Sequence, residues 1–275
     1  MIKVAVVQFN PKFGHVKENI DIVEFMIEKA KADIVVLPEL FSTGYQFISR
    51  AEVEDIAEEI EGGYTTSRLA LLSKRLDLAI VFGVAEKSKR VIYNSSVLVE
   101  KGEVIAVYRK THLFFEEKRW FAPGNTGFSV QKVKGIKVGM IICFDWIFPE
   151  ACRILALKGA QLIAHPANLV LPYCQEAMKT RCIENRIFAA TANRIGTEAR
   201  GEKKAFIFTG RSQIVAPDGK ILLRMREKEE GIGVAEINPD LALDKSINRY
   251  NHIFNDRRVE MYKEILEKKE KDVGQ

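Results

Sequence analysis

The stretch that decides the fold is Val138-Gly139-Met140-Ile141-Ile142-Cys143-Phe144-Asp145-Trp146, in which an apolar run gives way to a cysteine. An uninterrupted apolar run of this length is typical of a strand that is buried on both faces. The carboxyl ends of such strands are where α/β folds open onto ligands. A thiol at that point is therefore a candidate nucleophile.

Two other apolar runs also end near a charged residue. Glu39 follows the run 34–37 after one proline, and Lys110 comes shortly after the run 104–108. A thiol with an ordinary pKa of about 8.5 is mostly protonated at neutral pH, so it needs a base or a neighbouring cation. Glu39 can be that base, while Lys110 and the backbone N–H of Phe144 can stabilise an oxyanion. For each of these side chains alone a structural role is the simpler interpretation, but the three together favour a hydrolytic site.

The rest of the chain alternates between helical and strand patterns. Residues Ile20, Val23, Ile27 and Ala30 recur at steps of three and four, which predicts one face of a helix. Lys101-Gly102 and Asp218-Gly219 each indicate a hairpin turn. Strands are predicted at 2–8, 33–37, 78–85, 95–99, 104–108, 137–143, 161–165, 189–193, 213–217 and 220–223, with helices around 69–76, 150–158 and 181–188. The fold class is therefore α/β, with more hairpins than a simple doubly wound sheet carries.

Composition indicates a single globular unit. The 275 residues are 47% apolar and contain no Pro/Gly/Ser-rich linker, which predicts one domain over 1–275. The net charge of +5 is mild and both signs are interspersed, so neither a nucleic-acid nor a membrane partner is expected. The charged run 264–271 is predicted to be a solvated helix end.

The cysteine pattern and the amino terminus predict a cytoplasmic protein. The spacings between the cysteines, 9, 22 and 8 residues, fit neither a disulfide scaffold nor paired zinc knuckles, so a reducing compartment is expected. The opening apolar run lacks the length and cleavage site of a signal peptide, and nowhere do 18 apolar residues run together. The cysteines are Cys143, Cys152, Cys174 and Cys182.

Three segments closely resemble the signature blocks of the nitrilase superfamily of carbon-nitrogen hydrolases: 37–41 (Leu-Pro-Glu-Leu-Phe), 108–114 (Tyr-Arg-Lys-Thr-His-Leu-Phe) and 142–150 (Ile-Cys-Phe-Asp-Trp-Ile-Phe-Pro-Glu). The resemblance covers nearly the whole chain. It continues in the family's order at 4–8, 93–96, 121–124, 165–168, 184–186 and 192–194.

The resemblance implies a four-layer α-β-β-α sandwich that dimerises into an eight-layer assembly, without a metal or organic cofactor. It also implies a catalytic triad of Glu39, Lys110 and Cys143. A second glutamate that the family carries seven residues after its lysine matches Glu117 here, with Glu116 as the competing assignment. Helices 150–158 and 181–188 are expected to form the dimer face, and the tail of about 240–275 is expected to contribute to it.

The implied reaction is hydrolysis of a non-peptide carbon-nitrogen bond through a thioester on Cys143, with the Phe144 N–H as an oxyanion donor. The segment Cys143-Phe144-Asp145 is closer to amidase-like branches than the Cys-Trp-Glu of true nitrilases, which favours a small aliphatic amide; a nitrile is the alternative. An N-carbamoyl substrate is less expected, because Trp146-Ile147 stands where that branch carries arginines.

The predicted pocket walls are mainly aromatic. By position the candidates are Tyr45, Phe114, Trp146 and Tyr173, with Asn168 as a polar contact, although core or dimer packing explains each of them equally well. An aromatic lining with few charges favours a small, uncharged or weakly polar substrate.

Two other function classes remain open. In a metal-dependent phosphoesterase, Glu39 would be a magnesium ligand and Asn168 or His165 a phosphate contact. Such sites need several converging Asp, Asn and His residues, whereas the four histidines at 15, 112, 165 and 252 are scattered. A nitrilase-like scaffold without turnover is the other alternative, and the intact triad argues against it.

Overall fold

The protein is built around two six-stranded mixed sheets, in a computed structural model that describes residues 1–267. The chain divides into one compact unit, Met1–Asp244, and a second that begins at Lys245. The first unit holds both sheets and every α-helix of the described residues.

The first sheet has three central parallel strands and antiparallel neighbours. β1, β2 and β3 run parallel, β14 pairs antiparallel with β1, and β4 and β5 extend the other edge as a hairpin. In spatial order its strands are β14 (Gly231–Ile237), β1 (Ile2–Gln8), β2 (Ile34–Val36), β3 (Ala79–Ser88), β4 (Val91–Glu100) and β5 (Glu103–Arg109).

The second sheet repeats this plan, with β7, β8 and β9 parallel at its centre and β6, β12 and β13 antiparallel outside them. In spatial order its strands are β13 (Ile221–Arg224), β12 (Gln213–Val215), β9 (Phe188–Asn193), β8 (Leu162–Ala167), β7 (Ile136–Met140) and β6 (Val130–Val133). A separate two-stranded ribbon pairs β10 (Thr197–Glu198) with β11 (Phe206–Ile207).

Helices cover the outer face of each sheet. The first sheet packs against α1 (Val16–Lys29) and α3 (Tyr64–Leu76), and the second packs against α6 (Cys174–Asn185), with α5 (Pro149–Leu157) beside α6. The inner faces meet where β1 contacts β9 and β3 contacts β8. The unit is thus the predicted four-layer α-β-β-α sandwich.

The remaining helices among the described residues are two short α-helices and four 3₁₀ helices. The short helices are α2 (Arg50–Ile56) and α4 (Glu117–Trp120), and in the first unit 3₁₀ helices lie at Cys143–Ile147 and Pro239–Ala242. In the second unit, 3₁₀ helices span Val259–Met261 and Lys263–Ile265.

Burial on both faces explains why the central strands read as unbroken apolar runs. Every residue of β2 is fully buried, and the core beside it joins apolar side chains of β1, β2 and β3 to those of α1 and α3. Covering a parallel strand on both sides leaves no solvent face to encode as polar residues. The strand ends, where polar residues reappear, are therefore the informative positions.

The structure moves several predicted boundaries. The run 137–143 was expected to be one strand, but β7 ends at Met140 and Cys143 begins a 3₁₀ helix. The helix predicted at 181–188 starts earlier, at Cys174, and ends at Asn185, because Arg186 takes a left-handed conformation with φ of 45°. Where a helix end was predicted at 264–271, a 3₁₀ helix spans 263–265, and residues 268–275 lie outside the described part of the chain. No helix within residues 1–267 is long and apolar enough to span a membrane.

Candidate active site

Two strand ends of the first sheet, one of the second and the start of a short helix supply the predicted catalytic residues. Glu39 follows β2 after Leu37-Pro38, and Lys110 directly follows β5. Cys143 lies three residues beyond the end of β7, and Glu117 begins α4. Because the two sheets face each other, side chains from separate parts of the sequence can meet between them.

The ammonium of Lys110 lies between two carboxylates. Its Nζ is 2.7 Å from Oε1 of Glu39 and 2.8 Å from Oε1 of Glu117. All three side chains are almost completely buried, and the hydroxyl of Tyr45 donates a 2.6 Å hydrogen bond to the same oxygen of Glu117. Glu116, the competing assignment for the second glutamate, instead pairs with Lys203. The structure thus brings Glu39, Lys110 and Glu117 into one hydrogen-bonded cluster.

Burial and mutual charge set the protonation of this cluster. Burial alone would lower the pKa of Lys110, but the carboxylates of Glu117 and Glu39 outweigh it and raise that pKa. Burial raises the pKa of Glu117 to about 7, against the opposing effect of the Lys110 charge. Near pH 7 the cluster of one ammonium and two carboxyl groups therefore carries either no net charge, when Glu117 is protonated, or one negative charge, when Glu117 is ionised.

The thiol of Cys143 lies within reach of the charges of this cluster and rests protonated. Burial raises its pKa well above the ordinary value, the charges of Glu39 and Glu117 act in the same direction, and Lys110 and a hydrogen bond from the backbone of Asn168 oppose them. A thiolate would add a further negative charge to a buried group whose net charge is already zero or negative. Attack by the sulfur therefore requires its proton to leave at the same time, toward a neighbouring base.

The backbone at Cys143 is strained. Its φ of +40° lies in the left-handed region, which costs a non-glycine residue about 1–3 kcal/mol and persists only where surrounding contacts enforce it. Leu40, directly after Glu39, and Phe115, two residues before Glu117, also have positive φ, both of 47°. Strain thus accompanies three of the segments that carry the cluster.

Asp145 holds the turn that carries the thiol. Its fully buried carboxylate accepts hydrogen bonds from the Ile142 N–H at 2.8 Å, the Tyr108 hydroxyl at 2.8 Å and the His112 N–H at 3.1 Å. The His112 ring also lies 2.7 Å from it through Nδ1 and stacks on Phe148. The carboxylate therefore ties the nucleophile turn to the segment that follows Lys110.

Two asparagines hold Glu39. The Asn94 side chain donates to Glu39 Oε1 at 2.7 Å, and the Asn168 side chain donates to the Glu39 carbonyl at 2.8 Å. The other carboxylate oxygen of Glu39 is buried without a hydrogen-bond partner among the described residues. One face of this carboxylate is thus fixed while the other remains available to accept a proton.

Two glycines make room for the carboxylate and the ammonium. A Cβ at Gly83 would lie 2.5 Å from the Cα of Glu39, and a Cβ at Gly124 would lie 2.0 Å from the carbonyl oxygen of Arg109, next to Lys110. Real Cβ atoms do not approach other atoms so closely. Any larger residue at either position must displace the backbone that carries a cluster residue.

The residues predicted as pocket walls occupy different places. Tyr45 is buried and reaches Glu117, and Phe114 donates its backbone N–H to Glu117 Oε2 at 3.2 Å. Trp146 is buried, and its carbonyl accepts from Arg181. Asn168 lies against Glu39, whereas Tyr173 is 63% exposed just before α6 and is not part of the hydrogen-bonded cluster.

A small cavity adjoins the cluster beside Tyr45 and Glu117. Its other walls include Phe115, Trp120 and Phe206. The last three residues were not predicted from the sequence, because nothing in a lone aromatic residue separates a pocket wall from a core position. The cavity has a volume of about 10 Å³, which is room for about one water molecule beside Glu117.

Two further residues that hold this site in place were not given these contacts from the sequence: Asn94 was not singled out, and His165 was named only as a phosphate contact in the phosphoesterase alternative. Asn94 is a fully buried polar residue inside β4, and His165 is flanked by apolar residues inside β8. A polar side chain within a buried strand needs a partner, and that is the signal that could have identified both residues. No group of three or more His, Cys, Asp or Glu side chains suited to hold a metal ion occurs among residues 1–267.

The chain is similar in sequence to known proteins along nearly its whole length. Residues 3–244 match the family model described as carbon-nitrogen hydrolase. A protein of Pyrococcus abyssi (strain GE5 / Orsay) named nitrilase is 48% identical over 265 residues, covering 95% of this chain and 99% of its own length.

Solved structures agree over the same extent. A carbon-nitrogen hydrolase from Helicobacter pylori G27 superposes with a TM-score of 0.89 at 27% identity, covering 97% of this chain and 99% of its own. A mutant of the amidase from Nesterenkonia sp. AN1, which carries acrylamide added to its active-site cysteine, superposes with a TM-score of 0.79 at 25% identity and covers 96% and 100% of the two chains.

Proposed function

This chain belongs to the carbon-nitrogen hydrolase family, and from that premise we propose that it cleaves a small aliphatic amide to a carboxylic acid and ammonia through a thioester on Cys143. The observation that carries the proposal is the buried cluster in which Lys110 bridges Glu39 and Glu117 while all three charges act on the Cys143 thiol. A base, a cation and a nucleophile around one point are the parts that acyl transfer needs.

Acylation begins with transfer of the thiol proton to Glu39, whose unpartnered oxygen can accept it. The sulfur of Cys143 bonds to the carbonyl carbon of the amide, and the carbonyl oxygen becomes an oxyanion. Lys110 and the Phe144 N–H stabilise that charge. When the tetrahedral intermediate collapses, the carbon-nitrogen bond breaks and the proton held by Glu39 passes to the departing ammonia.

Deacylation uses the same groups in reverse. Glu39, with Glu117 beside it, orients a water molecule and removes its proton as the oxygen attacks the thioester carbon. The second tetrahedral intermediate expels the sulfur, which recovers a proton from Glu39. Glu117 is suited to orient rather than to donate, since its Oε1 already accepts from Lys110 and Tyr45.

A nitrile is the second candidate substrate, because the 48% identical relative from Pyrococcus abyssi is named nitrilase. In that case the sulfur adds to the nitrile carbon to give a thioimidate, and two waters are consumed in place of one. The amide remains our first choice on the Cys143-Phe144-Asp145 segment and on the amidase among the structural relatives.

Ammonia release from a panel of aliphatic amides and their matched nitriles tests the proposal. Cys143→Ala should abolish turnover, a loss of more than about 10⁴-fold, because no other group can form the acyl-enzyme. Cys152→Ala, a buried cysteine that the mechanism does not use, is the matched control and should stay active. Mass spectrometry after brief exposure to substrate should show the acyl group on the Cys143 peptide. Undiminished release by Cys143→Ala would refute the mechanism, and release from nitriles alone would refute the amide preference.

We also propose that the protein is a homodimer. The predicted dimer-face segments at 150–158 and 181–188 leave Ile154, Leu157 and Ile183 between 37% and 48% exposed on the single chain, and exposed apolar residues on neighbouring helices favour association. Analytical ultracentrifugation should give twice the chain mass of 31.2 kDa, and Leu157→Lys should shift it toward the monomer. A fully active monomer on dilution would contradict a link between assembly and activity.

A further inference from the structure

A buried histidine lies directly behind the nucleophile. His165, on β8, has no exposed surface, and its Nε2 is 3.0 Å from the carbonyl oxygen of Cys143. Its Nδ1 is 3.0 Å from the hydroxyl of Thr191, its partner in the parallel register between β8 and β9. Both ring nitrogens thus have partners, and one of those partners is the backbone of the candidate nucleophile.

These partners define the ring's protonation. The carbonyl of Cys143 can only accept, so Nε2 must carry the hydrogen, and Nδ1 is then free to accept from the Thr191 hydroxyl. Burial lowers the pKa of His165 to about 4, so the ring stays neutral at neutral pH. A neutral ring held at both ends is a fixed donor to the Cys143 carbonyl.

That carbonyl belongs to the same peptide unit as the Phe144 N–H. In a trans peptide the C=O and the N–H point in opposite directions, so whatever fixes one fixes the other. The bond between Cys143 and Phe144 follows a residue whose φ is +40°, a conformation that a neighbouring contact must enforce. A donor on the carbonyl also polarises the peptide and strengthens its N–H as a donor.

We propose that His165 is a positioning residue that holds the Cys143–Phe144 peptide so that the Phe144 N–H faces the oxyanion. The inference rests on the proposed function, in which that N–H is an oxyanion donor. It assigns to His165 a role in stabilising the transition state without any contact with the substrate. Thr191 has the supporting role of keeping the hydrogen on Nε2.

Two substitutions at His165 separate this role from simple packing. In His165→Gln the side-chain amide can place an N–H close to the position of Nε2, whereas His165→Leu fills the space without a donor. Against the best amide, kcat of His165→Leu should fall by about 10- to 100-fold, somewhat less than the loss of an oxyanion donor itself, with KM changed by less than about threefold. His165→Gln should recover most of that loss.

Two measurements that do not depend on turnover complete the test. Alkylation of Cys143 by iodoacetamide forms no oxyanion, so its rate in His165→Leu should stay within about threefold of the wild type. Binding of a small aliphatic aldehyde, which adds to the thiol and develops an oxyanion, should weaken by the same factor as kcat/KM. Equal losses in alkylation and turnover, or unchanged aldehyde affinity, would overturn the proposal.

The wild-type protein offers a test that needs no variant to fold. With ¹⁵N-labelled histidine, the chain gives four ring systems, and that of His165 should show hydrogen on Nε2 alone at pH 7. A charged ring, or hydrogen on Nδ1, would overturn the assignment. If the wild type cleaves no amide yet binds the aldehyde with the expected dependence on His165, the substrate proposal fails and the positioning role stands.

Discussion

In the first sheet, the ammonium of Lys110 lies between two buried carboxylates, and each contact that fixes it is an ion pair or a charged hydrogen bond. In the second sheet, Cys143 rests as an uncharged thiol and is held through its backbone, by His165 at its own carbonyl and by Asp145 at the preceding N–H of Ile142. The residues after the first sheet's strands are therefore held by charge, and the turn after the second sheet's strand is held by backbone hydrogen bonds. These are called the charged half and the geometric half of the site. Changes in the charged half should alter protonation, and changes in the geometric half should alter orientation.

The largest effect should come from removing the central cation. Lys110→Met leaves two buried carboxylates facing each other, which should lower turnover by about 10³-fold or more and the free energy of unfolding by about 3–5 kcal/mol at pH 8. Uptake of a proton by this carboxylate pair at lower pH relieves the repulsion, so the loss of stability should be smaller at pH 5. Urea unfolding at both pH values measures this.

Lys118→Met, at an exposed lysine of the same segment, is the matched control for Lys110→Met and should leave both quantities near the wild-type values. Wild-type turnover in Lys110→Met would show that Lys110 is not required for the reaction. A destabilisation that is the same at pH 5 and pH 8 would show that the carboxylates do not depend on this lysine.

A smaller effect is expected from changing Asp145, which holds the turn that carries Cys143. Asp145→Asn keeps the shape but replaces an acceptor by an amide that must turn a donor toward Ile142, Tyr108 or His112. The free energy of unfolding should fall by about 2–3 kcal/mol, and kcat should fall because the turn carrying Cys143 loosens. Asp240→Asn, in the first turn of another 3₁₀ helix but exposed, is the control. Full stability with lost activity would instead place Asp145 within the proton transfer.

The smallest effect should be a shift in pH dependence. Burial raises the pKa of Glu117 to about 7, while the hydrogen bond from Tyr45 acts to lower it. If the ionised carboxylate orients the water that hydrolyses the thioester, kcat should rise with pH through about 7, because kcat/KM reports only the steps up to release of ammonia. Tyr45→Phe removes the lowering contribution and should move that limb to higher pH, with a loss of a few-fold at pH 7 that disappears at pH 9. Tyr64→Phe, at an exposed tyrosine, is the control and should leave the rising limb in place. An unmoved limb in Tyr45→Phe would show that the ionisation of Glu117 does not set the pH dependence.

The sequence predicted the parts of this fold that depend on local pattern. The run 2–8 is β1, the alternation around Lys101-Gly102 is the hairpin of β4 and β5, and the four-layer sandwich follows the family resemblance. It did not predict β14, which pairs along the whole length of β1 from more than 220 residues away. Pairing between distant segments is not encoded in local periodicity.

Of the candidate site, too, only the residues in recognisable sequence segments could be predicted. The candidates Glu39, Lys110 and Glu117 could be named because each stands in a recognisable segment, and the structure joins them by hydrogen bonds. Asn94 and Asp145 were not assigned to the site, and His165 was considered only as a phosphate contact. Their contacts with Glu39, Ile142 and Cys143 depend on how the two sheets face each other. Supporting residues are defined by three-dimensional neighbours, and a single sequence does not contain those neighbours.

The close approach of Gly83 to Glu39 and of Gly124 to Arg109 bears on any attempt to change the substrate range by directed evolution. Neither glycine lines the cavity beside Tyr45 and Glu117, so a library designed from the cavity walls alone gives no reason to protect them. Libraries that randomise Phe115 and Phe206 while leaving both glycines untouched should therefore yield many more active clones than libraries that include them.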